Sequence, residues 1–336
     1  MKKTALALLC ALLLALALTA CGQGAAEPSS VPSAVPSEAA ETPGAASGLV
    51  ILYEADEDMI NNYSLLAVNP DAPFVDADGN SVADVYINTE GAAALKNWML
   101  SAEGEAAAAD YGYAEYGEYL FYLADGAPVS TAEIPRATDE TRVIRMSTTT
   151  SVNDSGLLGY LLPMFEAEYG YEVEVTSAGT GKAIANAESG NADVLLVHSK
   201  SQEEEFVAAG YSYVLPGFES ERLTFLYNYF VLCGPPDDPA GVKDAPSVRD
   251  AFAAIAEGKY PFVSRGDQSG THTKEVSLWP GELGITVDAA SVEQYADWYT
   301  YSNAGMGVCL TMAAETGSYI LSDKATFLTF QAGGAE

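Results

Sequence analysis

From Arg142 onward the apolar positions switch repeatedly between a two-residue rhythm and a rhythm of three to four, the signatures of strand and helix. "RVIRMSTTT" and "YEVEVTS" alternate as strands, and "ADVLLVHS" is an apolar run suited to a central strand covered on both faces. Between the first two, "SGLLGYLLPMFEAEYG" places Leu157, Leu158, Leu161, Leu162 and Phe165 on one helical face, with Ser155 as N-cap. "GTGKAIANAESG", "EEEFVAAG" and "APSVRDAFAAIAEG" also read as helices, "LTFLYNYFVLCGP" as a long strand and "YPFVSRG" as a shorter one. Earlier in the chain, "LVILYEADED" and "NNYSLLAVNP" predict two strands and "TEGAAALKNWMLSAEGEAAAADYG" a helical pair. Residues 126–141, polar and carrying two prolines, read as a connector. The alternation predicts an α/β architecture with a largely parallel sheet. In such sheets ligands settle at strand-to-helix junctions, and the junctions here carry Ser, Thr or Gly.

The first 48 residues do not join this pattern. Lys2 and Lys3 precede a short Leu/Ala run, a secretory signal in residues 1–20 and too short for a membrane span. Leu18-Thr19-Ala20-Cys21 resembles the lipobox of bacterial lipoproteins, which implies cleavage before Cys21 and a lipid on its thiol. Residues 22–48 hold mostly Ala, Ser, Pro, Glu and Gly and cannot bury enough surface to offset chain entropy, so 21–48 is expected to be a lipidated cysteine and flexible linker. The remainder is long enough for two modest domains.

Charge then removes one class of partner. With 15 basic and 47 acidic residues the chain carries a formal charge of −32, so nucleic acid is excluded as a ligand. Two histidines, His198 and His272, and no Cys-x-x-Cys leave no metal spacing. Cys233 and Cys309 sit in apolar runs and read as buried thiols, a disulfide between them remaining open. "DADGN" at 76–80 is a surface turn, its glycine being two places early for a calcium loop.

Against that acidity, three stretches concentrate hydrogen-bond donors at helix starts: "STTTSVNDSG" (147–156), "SAGTGKA" (177–183) and "SRGDQSGTH" (264–272). A helix N-terminus offers unpaired N–H groups and a partial positive end, hydroxyls add directed donors, and glycine lets the backbone come close. Arg265 adds a bidentate fork for two oxygens. Each stretch alone reads as a cap; three together, one with arginine, read as a cage for a small doubly charged oxyanion. The second is not a P-loop, since Thr176 and Ala183 stand where that motif needs Gly and Ser/Thr. "DQSGT" lacks the nucleophile elbow of hydrolases, so no enzyme activity and no cofactor are expected. His272 is expected to face outward along its helix, and His198 to reach the pocket or to be structural. Asp267 is either an acceptor for a protonated ligand or a partner for Arg265.

"TTTSVNDSGLLGYLLPMFE", "SAGTGKA", "NADVLLVHS", "FVSRGDQSGTHTKE", "AGMGVCLTMAAETGSYILSDKATFL" and "NYSLLAVNP" resemble the substrate-binding lipoproteins of tungstate ABC importers. More distantly, the third motif resembles phosphate-binding proteins. The resemblance implies a two-lobed periplasmic-binding-protein-like (class II) α/β fold with the ligand in the cleft between lobes. It implies ligand contacts from Thr149, Thr150, Ser151, Thr180, Arg265, Ser269 and Thr271, and lipidation at Cys21. It implies capture of tungstate or a similar tetrahedral oxyanion, a permease and an ATPase as partners, and a monomer anchored by lipid outside the cytoplasm. Molybdate or phosphate as ligand, and a sensor lipoprotein without transport, are the alternatives. Relative to the family, the segment at 49–125 stands first instead of last, which implies a circular permutation with the old termini joined through 126–141. The lobes are expected at 76–221 and at 222–331 plus 49–75, with hinge strands near "YNYFVLC" and "YSLLAV". Two departures, Asn228-Tyr229-Phe230 where Asn-Asp-Phe is expected and Ala304-Gly305-Met306-Gly307 where Gln-Gly-Met-Gly is expected, touch the cleft or the docking surface.

Overall fold

A computed structural model describes residues 48–333; the signal at 1–20, Cys21 and nearly all of the linker lie outside the described residues. Among the described residues the strands are β1 (Val50–Tyr53), β2 (Ile60–Ala67), β3 (Tyr122–Leu123), β4 (Val143–Thr149), β5 (Glu172–Ala178), β6 (Val194–Val197), β7 (Leu223–Gly234), β8 (Phe262–Ser264), β9 (Tyr299–Tyr301) and β10 (Ile320–Asp323). The main sheet runs β1-β7-β2-β6-β4-β5, with β3 and β10 also paired to β7; β8 and β9 pair separately. β4 runs parallel to β5 and β6, and β8 to β9. Every pairing of β7, and that of β2 with β6, is antiparallel, so the sheet is mixed and not largely parallel as expected. Apolar rhythm reports which faces are buried, not which way a strand runs.

Burial on both faces explains the apolar runs. In the first lobe, Leu65 and Leu196 point into one cluster with Leu95, Trp98, Leu161 and Phe165, while their neighbours Leu66 and Leu195 point into another with Ile184, Ala187 and Phe206. All five apolar residues expected on one helical face, Leu157 to Phe165, are buried there. The helix Leu157–Tyr169 begins one residue later than expected: Gly156, at φ 80°, is its N-cap, and Ser155 Oγ accepts from Leu157 N instead. In the second lobe, Phe230 and Leu232 pack against Val248, Phe252 and Ile255 of helix Val248–Gly258, and Val231 and Cys233 against Met306, Cys309 and Leu310 of helix Met306–Thr316. Cys233 and Cys309 are free and buried.

β7 therefore belongs to two cores in succession. Leu223, Phe225 and Leu226 lie in the first lobe and Phe230 to Cys233 in the second. β2 crosses alongside it, Met59 lying in the second lobe and Tyr63 in the first. Tyr63, Leu65, Leu66, Val68 and Phe74 pack in the same clusters as Leu95, Leu161, Ile184 and Phe206. A buried polar knot marks the crossing. Asp323 Oδ2 accepts from Tyr63 Oη at 2.9 Å and Asn228 Nδ2 at 2.6 Å, and Asn61 Nδ2 donates to Asn228 Oδ1 at 3.1 Å. Tyr229, one of the two departures, points from the strand toward Tyr122 and Tyr227. The turn at 76–80 is an Asx turn, Asp76 Oδ1 accepting from Asp78 N and Asn80 N.

Candidate oxyanion site

The three donor-rich stretches meet where the lobes face each other. β4 delivers the first. Thr149 caps the short helix Thr150–Asp154, its Oγ1 accepting from Val152 N at 3.4 Å, and lies 3.2 Å from Ser151 Oγ. Ser151 Oγ is in turn 2.8 Å from His198 Nε2, at the end of β6. Thr149, Ser151 and His198 are buried; Thr150 is half-buried. The second stretch opens helix Thr180–Glu188, and Thr180 is fully buried with its Oγ1 unpartnered among the described residues.

The third stretch follows β8 in the other lobe. Gly266 at φ 59° and Gln268 at φ 57° fold the chain tightly, a conformation open to glycine and costly for glutamine. Ser269 caps helix Gly270–Leu278, accepting from His272 N at 3.3 Å. Gln268 N donates to His272 Nδ1 at 3.0 Å, which leaves the proton of neutral His272 on Nε2. Arg265 is 3% exposed. Its Nη2 donates to Asp267 Oδ2 at 2.5 Å and to Thr150 Oγ1, across the cleft, at 3.3 Å. Asp267 Oδ1 accepts from Ser269 N at 3.1 Å, so both carboxylate oxygens are engaged. Ala304, the second departure, supports the arginine from behind, its N–H donating to Arg265 O at 3.1 Å.

Two glycines lie where the lobes approach, and Gly270 is the tighter. A Cβ on Gly270 would lie 2.3 Å from His198 Cε1, and one on Gly179 would lie 3.7 Å from Asp267 O. All three stretches therefore converge. Thr149 and Ser151 contact each other and, through Ser151, His198, while Thr150, Arg265 and Ser269 are joined through direct contact or through Asp267. Thr180 and Thr271 are buried with hydroxyls that have no partner among the described residues, as has Arg265 Nε. Leaving such donors unpaired costs on the order of 1–3 kcal/mol each, a cost that an acceptor between the lobes would remove.

Burial pushes the His198 pKa down to about 3, with Arg265 adding to the effect. Burial lowers that of His272 as well, Asp267 opposing and Arg265 adding. His272 is fully buried and does not face outward as expected, because its ring turns back onto the Gln268 backbone and against Tyr301. Beneath Asp267, burial raises Glu275 to about 7, against hydrogen bonds from Ser264, Tyr299 and Trp279. Sequence reasoning left the roles of His198 and Asp267 open and did not single out Gly270 or Glu275. The adjacency of Gly270 to His198 has no local signal, since the two lie on different lobes. Among the described residues no group of three or more His, Cys, Asp or Glu side chains is arranged to hold a metal ion.

Comparison with known proteins follows this geometry. The chain is 46% identical over 191 residues to the tungstate-binding protein TupA of Peptoclostridium acidaminophilum, covering 56% of this chain and 62% of that one. It is 33% identical over 182 residues to the tungstate-binding protein TupA of Campylobacter jejuni, covering 54% and 62%. The match thus spans about three fifths of the length of these curated relatives. Among solved structures, the tungstate ABC transporter protein from Geobacter sulfurreducens aligns with 38% identity and a TM-score of 0.48, covering 58% of this chain and 77% of that one. A family profile described as the PBP superfamily domain matches residues 134–335, more than half of the chain, and the protein belongs to that family.

Proposed function

We propose that the protein binds a tetrahedral oxyanion, tungstate in the first instance, between its lobes and presents it to the permease and ATPase of an ABC importer. The observation that carries this reading is the set of buried donors, drawn from both lobes, that have no partner among the described residues: Thr180 Oγ1, Thr271 Oγ1 and Arg265 Nε. A fully deprotonated dianion requires donors only. Monohydrogen phosphate carries a proton and requires an acceptor, yet the nearby carboxylate, Asp267, already receives Arg265 and Ser269 N. This favours tungstate or molybdate over phosphate. The tungstate-binding relatives favour the same ligand class.

A hydrolytic reading of the Ser151–His198 pair is disfavoured. A general base works best with a pKa near the operating pH, and His198, held near 3, is far below it. Its Nδ1 contacts no carboxylate that would orient it.

Anchoring is part of the proposal: secretion, lipidation at Cys21 and a tether through residue 48 hold a monomeric receptor at the outer face of the cytoplasmic membrane. Among the described residues no helix is long and apolar enough to cross a membrane. Circular permutation is also proposed. The family match begins at residue 134, yet β2, from the segment before it, lies inside the sheet between β6 and β7. Gln331 Nε2 donates to Leu49 O at 3.3 Å, so the two ends of the described fold adjoin, the geometry that permutation requires.

Calorimetric titration of the purified chain with tungstate, molybdate, sulfate and phosphate tests the central claim. Tight, stoichiometric binding of tungstate or molybdate and weak or no binding of phosphate is expected; no heat with any of the four rejects it.

A further inference from the structure

Beside the hinge, a cavity of about 280 Å³ lies between the lobes, and its lining includes none of the seven residues assigned above to the oxyanion. His198 forms the partition. Its Nε2 meets Ser151 on the oxyanion side, while the ring also borders this cavity and its Nδ1 finds no hydrogen-bond partner on any other residue, although the residue is only 8% exposed.

The charge of the lining is opposite to that of the molecule. In a chain with 47 acidic and 15 basic residues, the cavity is lined by Lys200, Arg222 and Lys274 and by no carboxylate. The three cations come from both lobes. Lys200 and Arg222 flank the first; Lys274 belongs to helix Gly270–Leu278 of the second, which presents Gly270, Thr273, Lys274 and Ser277 as one face. Their own partners neutralise them incompletely. Lys274 Nζ donates to a backbone carbonyl, Asp58 O, at 2.8 Å, and Lys200 lies 3.7 Å from the exposed Glu204. Arg222 Nε is ion-paired with the buried Glu203, so the charge left for a ligand comes chiefly from Lys200 and Lys274. The nine-residue helix Lys200–Ala208 also opens on this cavity, and its N-cap Ser199 makes no side-chain capping bond, leaving its first N–H groups without that acceptor.

We propose that this cavity is a second anion site, taking a small inorganic oxyanion of the phosphate or sulfate type together with hydration water. Because its cations come from both lobes, it is complete only when the lobes are closed, so its occupancy favours closure. That last step rests on the function proposed above: closure is also the state that holds tungstate, so each anion raises the affinity for the other by the same factor.

The test compares the wild-type chain with the double variant Lys200→Gln/Lys274→Gln; Lys200 is exposed and Lys274 half-buried, so neither change empties a core. Thermal unfolding is followed in inorganic phosphate from 0 to 20 mM, with sodium chloride holding ionic strength constant. The wild-type midpoint is expected to rise by about 2 °C, and the rise to be lost in the double variant. An equal rise in both proteins, or none in either, overturns the site and marks an adventitious ion only. This arm uses no tungstate, so it stands or falls apart from the calorimetry. In the second arm, phosphate is expected to slow tungstate release about threefold in the wild type and not in the variant; an unchanged or faster release in the wild type refutes the coupling.

Discussion

Closure of the cleft depends on the missing side chain of Gly270, and adding one atom there should cost affinity without costing the fold. A Cβ on Gly270 would stand 2.3 Å from His198 Cε1 and 2.6 Å from Nδ1, about 1 Å inside ordinary contact. Two relaxations are open to Gly270→Ala. The imidazole turns away and gives up its 2.8 Å contact with Ser151 Oγ, leaving buried polar atoms unpaired at about 1–3 kcal/mol. Otherwise the lobes stand about 1 Å further apart, the 3.3 Å bond from Arg265 to Thr150 is lost, and an anion between them is held from one side only. Either route removes about 2 kcal/mol from the bound state, which is about a 30-fold rise in Kd. The open protein carries no such penalty, because alanine is the better helix former by up to about 1 kcal/mol. Calorimetry with tungstate should therefore show the weakened Kd while thermal unfolding of the unliganded variant is unchanged within a few degrees. Gly179→Ala is the control, since its Cβ would meet Asp267 O at an ordinary 3.7 Å; its Kd should stay within about threefold of wild type. A Gly270→Ala protein that binds within threefold of wild type refutes the geometry of closure argued here.

Three further outcomes follow from the same site. Arg265→Ala should weaken tungstate binding by at least about 2 kcal/mol, measured by calorimetry, since it removes a charge-assisted donor from a desolvated position; unchanged affinity removes Arg265 from the pocket. Thr180→Val and Thr271→Val should each raise Kd about 3- to 10-fold yet leave unliganded stability unchanged or higher, because each deletes a hydroxyl unpartnered among the described residues; parallel loss of stability and affinity in urea unfolding and calorimetry would contradict this. Glu275, with its folded pKa raised to about 7 by burial, holds a proton that the unfolded chain has released above about 4.5. Its contribution is complete below the unfolded value and is lost as pH rises through 7. Glu275→Gln should remove that fall, shifting the difference in unfolding free energy between variant and wild type by about 2 kcal/mol in the variant's favour from pH 5 to pH 8, measured by urea unfolding. No change in that difference would mean Glu275 is ionised throughout.

The parts of this molecule that could be read from its sequence are those set by neighbours in the chain. The donor-rich stretches read individually as caps because the groups a cap satisfies lie within three residues, and Thr149 and Ser269 cap helices in the fold, although Ser155, the named cap, gives way to Gly156. The helical face from Leu157 to Phe165 is legible for the same reason. What was misread depends on the fold. "GTHTKEVS" is polar by composition, so His272 looked exposed, yet Gly270, Thr271 and His272 are all buried, Gly270 against His198 of the opposite lobe and His272 against Gln268 and Tyr301. The crossing falls at the stretches expected as hinge strands, "YNYFVLC" and "YSLLAV", yet the apolar residues of β7 that enter one core and those that enter the next are alike in composition. A strand that must be buried in both lobes cannot also advertise the boundary between them. The polar residues that do mark it, Asn61, Tyr63, Asn228 and Asp323, are drawn from three strands and become a knot only after folding. Function in such a molecule is therefore concentrated where local rules fail. Buried threonines without partners, and a glycine pressed against a histidine from the other lobe, are departures that a cleft built to shut on an anion explains together.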